Sequence, residues 1–252
     1  METKRNQKYF GSSGINVPLL VGLAVAVIGI ALLFVHNTRD FGLIIIIIGA
    51  AVAVFASGSK SGESDIDNQI MGITKDMPEQ AQIKYEVFER NFLTIIKPIF
   101  LKGFDYTGDI SCKKGPDHKY RTSDYNAAQL YFTNDKIYIY GKHICLVDSS
   151  EEKNYEFGGS YAYGDIDKAY VEDQDYDYNG RNVSIHFFGI KNVKGEDIIR
   201  FTVEYGADID KAVDDINHVV GKMTERAKDR AADREAKRAA LHEKEAEAAQ
   251  TE

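Results

Sequence analysis

Two apolar runs, residues 17–35 and 41–56, lie close together near the start of the chain, with only His36, Asn37, Thr38, Arg39 and Asp40 between them. Nothing else in the sequence constrains the fold as strongly. Spanning a bilayer's hydrocarbon core as helix takes about 20 apolar residues. The first run has 19 and no charge; the second has 16, five of them the consecutive isoleucines Ile44–Ile48. Lys4, Arg5 and Lys8 precede the first run, as in a secretory signal. A signal's apolar stretch is shorter, about 7–15 residues, and ends at a small-residue cleavage site. Two runs in succession point instead to a retained helical hairpin.

The expectation is a transmembrane hairpin over residues 17–56. Basic residues flank it on the outer sides, with Arg39 alone in the loop, which predicts that both termini are cytoplasmic. Gly22 with Ala26, and Gly49 with Ala53, repeat small residues four apart, a spacing that lets helices approach closely. They either pack the two helices of one hairpin or form a self-association face. Neither run holds an ionisable residue, so an ion or proton pathway lacks its usual support.

Charge divides the remainder. Residues 104–221 hold 13 basic and 22 acidic side chains, a net of −9, while the segments before and after are almost balanced. Such a field repels phosphate, which argues against nucleic acid and anionic lipid and favours basic partners or divalent cations. The two cysteines, Cys112 and Cys145, have no CxxC spacing and read as free thiols.

Residues 57–67 are rich in Gly, Ser and charge and read as a flexible linker. Asp76 and Glu79 suggest a capping box, with Pro78 in the first helical turn. Ile83, Val87, Phe92, Ile95, Ile96 and Ile99 then follow at helical spacing, with Pro98 expected to end or kink the helix near Lys97. From about Phe104 the pattern turns to short alternating stretches: 128–133, 136–140, 143–148, 161–163, 166–171, 181–188 and 198–204. Asn179–Gly180 is a strong hairpin-turn signal. Ile209, Ala212, Val213, Ile216, Val219 and Val220 restore a helical period and close the domain.

Residues 128–140 (AQLYFTNDKIYIY) and 163–171 (YGDIDKAYV), with the last strand and helix, resemble bacterial pleckstrin-homology-like domains over about 110 residues. The resemblance implies an antiparallel β-barrel capped by a C-terminal helix, acting as a platform for lipids, peptides or proteins. The chain departs from the lipid-binding pattern, since Lys113, Lys114, Lys119 and Arg121 are the one basic cluster in an acidic domain.

No chemistry assembles from motifs. Reading Asp175 as the first position, Asp175, Asp177, Asn179 and Gly180 follow part of a calcium loop, but His186 stands where a bidentate Glu is required. Asp173 adds to the same acidic tip. Residues 158–162 (GGSYA) miss the last glycine of a nucleophile elbow and read as a turn. The six histidines show no helical metal pair, and His143 with Cys145 is a weak one. Six tyrosines between Tyr155 and Tyr178 suit either barrel packing or a protein-binding face.

The expected organisation is a cytoplasmic N-terminus (1–16), a two-helix transmembrane hairpin (17–56), a flexible linker (57–75), a juxtamembrane amphipathic helix (76–103), a pleckstrin-homology-like barrel with capping helix (104–221) and a charged helical tail (222–252). In fold class this is a membrane α-helical hairpin plus an α+β soluble domain. The expected role is a non-enzymatic scaffold or protein-recognition module at the cytoplasmic face of a bacterial plasma membrane. Lipid or small-ligand binding and a calcium-responsive module stand as alternatives. The expected partners are the membrane and a protein, with self-association open, and no nucleic acid, cofactor, metal or catalytic residue is assigned.

Overall fold

Alternating and helical apolar patterns resolve into six α-helices, two single-turn 3-10 helices (Glu89–Asn91 and Tyr163–Asp165) and nine strands among the described residues, 2–11, 17–34, 39–57, 61–177 and 182–249, of a computed structural model. In chain order these are α1 (Glu2–Phe10), α2 (Val17–Leu33), α3 (Arg39–Ser57), α4 (Glu63–Thr74), α5 (Met77–Tyr85), β1 (Ile99–Phe104), β2 (Cys112–Lys114), β3 (Tyr120–Thr122), β4 (Asp124–Phe132), β5 (Lys136–Cys145), β6 (Tyr155–Ala162), β7 (Ile166–Asp177), β8 (Asn182–Asn192), β9 (Asp197–Val203) and α6 (Ala207–Ala249). The chain divides into two units: Met1–Thr74 with Tyr106–Tyr125 and Ile144–Asn154, and Lys75–Asp105 with Asn126–His143 and Tyr155–Glu252.

In the first unit α2 and α3 pack antiparallel along their small residues. A Cβ at Gly22 would lie 2.7 Å from the Ala53 nitrogen, and one at Gly49 would lie 2.5 Å from that of Ala26. The small residues therefore join the two helices of one hairpin. The transmembrane reading of that hairpin is overturned: among the described residues no helix is long and apolar enough to cross a membrane. Helix α2 has 17 residues, which at 1.5 Å per residue gives about 26 Å against a core of about 30 Å. Helix α3 has 19 but opens on Arg39 and Asp40 and ends in Ser57. The integral-membrane location rested on that reading and is not supported, and the basis for placing both termini in the cytoplasm goes with it. The outward side chains of the pair, Leu23, Val27, Ile44 and Ile47 among them, are exposed.

The expected linker is in part helix α4. Ile66, Ile70 and Thr74 recur four apart on its buried face, and Asp65 accepts a hydrogen bond from the Gly62 N–H at 2.9 Å. The Gly and Ser residues before it mask this period. Helix α1 contributes Asn6, which donates to Gln69 Oε1 and to the Leu146 carbonyl and accepts from Ser61.

In the second unit the long helix expected over 76–97 stops at Tyr85. Glu86 takes a left-handed conformation (φ 52°), and the N–H groups of Glu86 and Val87 bond back to Ile83 and Gln82, a Schellman stop. Asp76 makes no side-chain cap. Beyond the stop, the Leu93 N–H pairs with the Phe132 carbonyl at 2.8 Å, so sheet pairing overrides the helical spacing.

The sheets are antiparallel: a four-stranded sheet in the order β1-β4-β5-β6, a three-stranded sheet in the order β7-β8-β9, and the separate β2-β3 hairpin in the first unit. Residues 158–162, expected as a turn, lie in β6, where Gly158, Gly159 and Ser160 face Tyr140, Ile139 and Tyr138 of β5. The inward faces supply Ala128, Leu130, Ile137, Ile139, Phe188, Ile190, Ile199 and Phe201 to one core. Helix α6 closes it with Ile209, Ile216, Val219, Val220 and Met223. On the other face of β4, Tyr131 is buried, with its hydroxyl donating to the Pro78 carbonyl and its ring stacked on Phe92.

The sheets meet at β1 and β9. The Glu204 N–H donates to the Lys102 carbonyl, and Thr202 Oγ1 donates to the Phe104 carbonyl. A Cβ at Gly103 would lie 2.6 Å from Val203 Cα, so only glycine permits this approach. Gly103→Val is therefore expected to lower stability by about 1–3 kcal/mol through overpacking. Gly221→Ala in α6, where nothing lies within 4 Å, should raise it by about 0.5–1 kcal/mol. Urea unfolding of the full chain measures both, and equal midpoints for the two variants would contradict the closure.

Candidate functional site

In the second unit His143 Nδ1 lies 2.9 Å from Asn126 Oδ1, and Asn126 Nδ2 donates to Asp105 at 3.0 Å. The His143 ring stacks on Tyr155. Asp105 and Asn126 stand 21 residues apart, so no motif announces this group. In the first unit, burial pushes the Cys145 thiol pKa up and that of Cys112 up to about 11. Metals and electrophiles require the thiolate, which neither position favours. Among the described residues no group of three or more His, Cys, Asp or Glu side chains could hold a metal ion.

The basic cluster, also in the first unit, is largely committed to internal contacts. Arg121, with a side chain only 4% exposed, spreads its guanidinium over two carboxylates. Its Nε and Nη2 donate to Asp67 at 2.8 and 2.7 Å, and Nη1 and Nη2 donate to Asp117 at 3.1 and 2.8 Å. The Asp67 fork joins α4 to the β2-β3 hairpin, and the Asp117 fork ties the hairpin to its own turn. Lys113 lies 3.9 Å from the centre of the Tyr9 ring and Lys114 lies 5.1 Å from that of Tyr120, both cation–π distances. Three of the four cations, Lys113, Lys114 and Arg121, are therefore engaged within the first unit.

The acidic stretch of the second unit has a regular geometry. Strand β7 pairs with β8 from Ala169↔Ile190 and Val171↔Phe188 on to Asp173↔His186, Asp175↔Ser184 and Asp177↔Asn182. Opposed residues in an antiparallel pair share a face. One face of the hairpin thus begins as core, with Ala169, Val171, Phe188 and Ile190, and continues as Asp173, Asp175 and Asp177 beside His186, Ser184 and Asn182. Successive aspartates on a strand lie about 6.6–6.8 Å apart. They form a ladder rather than a converging calcium shell, and Asn179 and Gly180 of that reading lie outside the described residues.

His186 and Tyr205 organise the inner end of the ladder. His186 Nδ1 is 2.7 Å from Asp173, and its ring stacks on Tyr205 at 4.3 Å. Tyr205 donates to Asp210 at 2.8 Å, and that bond, followed by the charges of Asp210 and Asp173, raises the phenol's pKa. On the opposite face Glu172 meets Arg200 at 3.5 Å. Asp175 has no ion pair among the described residues.

The outer edge of β7 has no strand beside it among the described residues. At Ala169 its backbone is met by a side chain: the Ala169 N–H donates to Asn217 Oδ1 at 2.7 Å, and Asn217 Nδ2 donates to the Ala169 carbonyl at 3.0 Å. Strand alternation then turns the N–H and C=O groups of Val171, Asp173, Asp175 and Asp177 outward as well. The sequence offers an acidic hairpin; the open edge becomes visible only once Asn217 is placed on it. The tyrosines of this region divide, with Tyr163 buried in the core and Tyr155 and Tyr176 exposed.

Comparison of the chain with protein-family models, with curated proteins and with solved structures gives no match.

The Arg121 forks make the first unit sensitive to acid. The hydrogen bonds from Arg121 hold the Asp117 carboxyl down at about 2. Its ordinary value is about 3.9. A depressed carboxyl stabilises the fold above its ordinary pKa and loses that contribution as pH falls through the folded value. Stability should therefore drop between about pH 4 and pH 2, with a shallower drop in Asp117→Asn. Acid titrations of both proteins by circular dichroism test this, and superimposable curves would contradict it.

Proposed function

We propose that the second unit is a non-enzymatic, pleckstrin-homology-like recognition module that holds a basic extended segment of a partner protein along the outer edge of β7. The observation that carries this reading is the Asn217 amide, which satisfies the N–H and C=O of Ala169 as an incoming strand would. Past that point the edge runs on through Asp177 with the same outward groups and no strand beside it among the described residues.

Charge supports the kind of segment. Residues 172–177 (EDQDYD) hold four acids and no base. An unguarded edge recruits any strand, whereas charge on the edge discourages indiscriminate pairing and favours opposite charge. The spacing of Asp173, Asp175 and Asp177 matches alternate side chains of an added strand, which is how edge-binding modules combine backbone affinity with side-chain selection. The four-stranded and three-stranded sheets closed by α6 support the family resemblance. Lipid binding lacks comparable support, because Arg121 is occupied and the field around the ladder is negative.

The reading is tested with the full chain and an eight-residue peptide alternating Lys and Thr, followed by fluorescence anisotropy. The peptide should bind, and more weakly as salt is raised. Asp175→Lys should cost about five- to tenfold in affinity, by losing one opposite-charge contact and adding a like-charge one. A Glu–Thr peptide should not bind. Equal affinity for the two peptides, or no effect of Asp175→Lys, would overturn the proposal.

A further inference from the structure

Within the second unit, a separate recess of about 200 Å³ lies between α6, the turn joining β4 to β5, and Gly164. Its origin is the helical period of α6. Ile216, Val219, Val220 and Met223 fill the core, and the same face then continues as Ala227 and Ala231, whose short side chains leave space. The Tyr163 ring and Met223 give the recess an apolar lining, and the Tyr163 hydroxyl is already committed to the Thr133 carbonyl at 2.7 Å. Arg230 and Arg234, one turn apart, stand over this lining.

The cations are available to a ligand. Arg230 Nη1 meets Asp135 Oδ1 at 3.5 Å, a long contact between groups 49% and 78% exposed. Arg234 makes no ion pair among the described residues, and its neighbour Asp233 is taken by Lys237 at 2.8 Å. Two guanidinium groups therefore face one carboxylate, in a domain whose charge is otherwise strongly negative. The space is enough for a carboxylate on a short alkyl chain.

We infer that this recess is a carboxylate-recognition pocket, in which Arg230 and Arg234 hold the acid group and Tyr163, Met223 and Ala227 receive its methylenes. The forked donors of arginine match a carboxylate. Asp135 is the built-in competitor, already reaching Arg230. A free short diacid and the acidic side chain of a partner both present this chemistry. The site shares no residue with the β7 edge, so either assignment can fail without the other.

The test uses the full chain in nuclear magnetic resonance titrations with glutarate, N-acetyl-glutamate amide, glutaramide and inorganic phosphate. Glutarate or N-acetyl-glutamate amide should shift the Arg230 and Arg234 side-chain signals and the amides of Asn134 and Gly164. The tighter of the two identifies the source as a free diacid or a side chain. Arg234→Gln should weaken binding about tenfold by removing one charged fork, and Asp135→Asn should tighten it. Overturning results would be no shift with either acid, shifts of equal size with neutral glutaramide, equal binding of phosphate, or an Arg234→Gln variant that binds as well as the parent.

Discussion

The apolar stripe of α6 is the contact on which the second unit depends. Two antiparallel sheets meet directly at β1 and β9, where Gly103 admits the Val203 backbone, and the helix supplies Ile209, Ile216, Val219 and Val220 to their common core. Burying large aliphatic side chains contributes about 1.5–3 kcal/mol each. Where the stripe lies also decides what remains open. Asn217 on the same helix reaches the edge of β7 at Ala169, while the strand continues to Asp177. Past Met223 the same helix face continues with Ala227 and Ala231 beside Arg230 and Arg234, which leaves the arginine-lined recess.

The first unit is held by polar contacts of a different kind. Arg121 is nearly inaccessible yet makes four hydrogen bonds to Asp67 and Asp117, and Asn6 joins α1 to α4 and to the Leu146 carbonyl. Removing one member of such a group strands its partners, which costs more than the net worth of the pair. The one basic cluster of the acidic domain thus supplies an internal brace through Arg121. The α2–α3 pair adds close helix packing at Gly22 and Gly49, and its outward apolar side chains are exposed.

What the sequence makes legible follows the length and regularity of each signal. The alternation through 128–140 and the spacing from Ile209 to Val220 have one simple period each, and strands and helix form there. Helix α4 is obscured because Gly and Ser precede a period carried by only Ile66, Ile70 and Thr74. The end of α5 is invisible because the left-handed stop falls on Glu86, a residue that rarely adopts it. The apolar runs are legible as paired helices, whereas a membrane crossing depends on length, and the first helix ends at Leu33. Asp173, Asp175 and Asp177 read as a broken calcium loop because spacing alone does not separate a loop from a strand. Asn126 with Asp105, and Asn217 with Ala169, are contacts between distant residues and leave no local trace.

The central claim is that the outer edge of β7 accepts a strand. The most direct measurement is nuclear magnetic resonance of the isotope-labelled full chain with the unlabelled Lys–Thr peptide, recording intermolecular nuclear Overhauser effects and amide exchange. Cross-strand contacts from the peptide backbone to Val171, Asp173 and Asp175, with slowed exchange of those three amides, are the predicted result. Peptide contacts confined to side-chain carboxylates, with exchange along β7 unchanged, would contradict it.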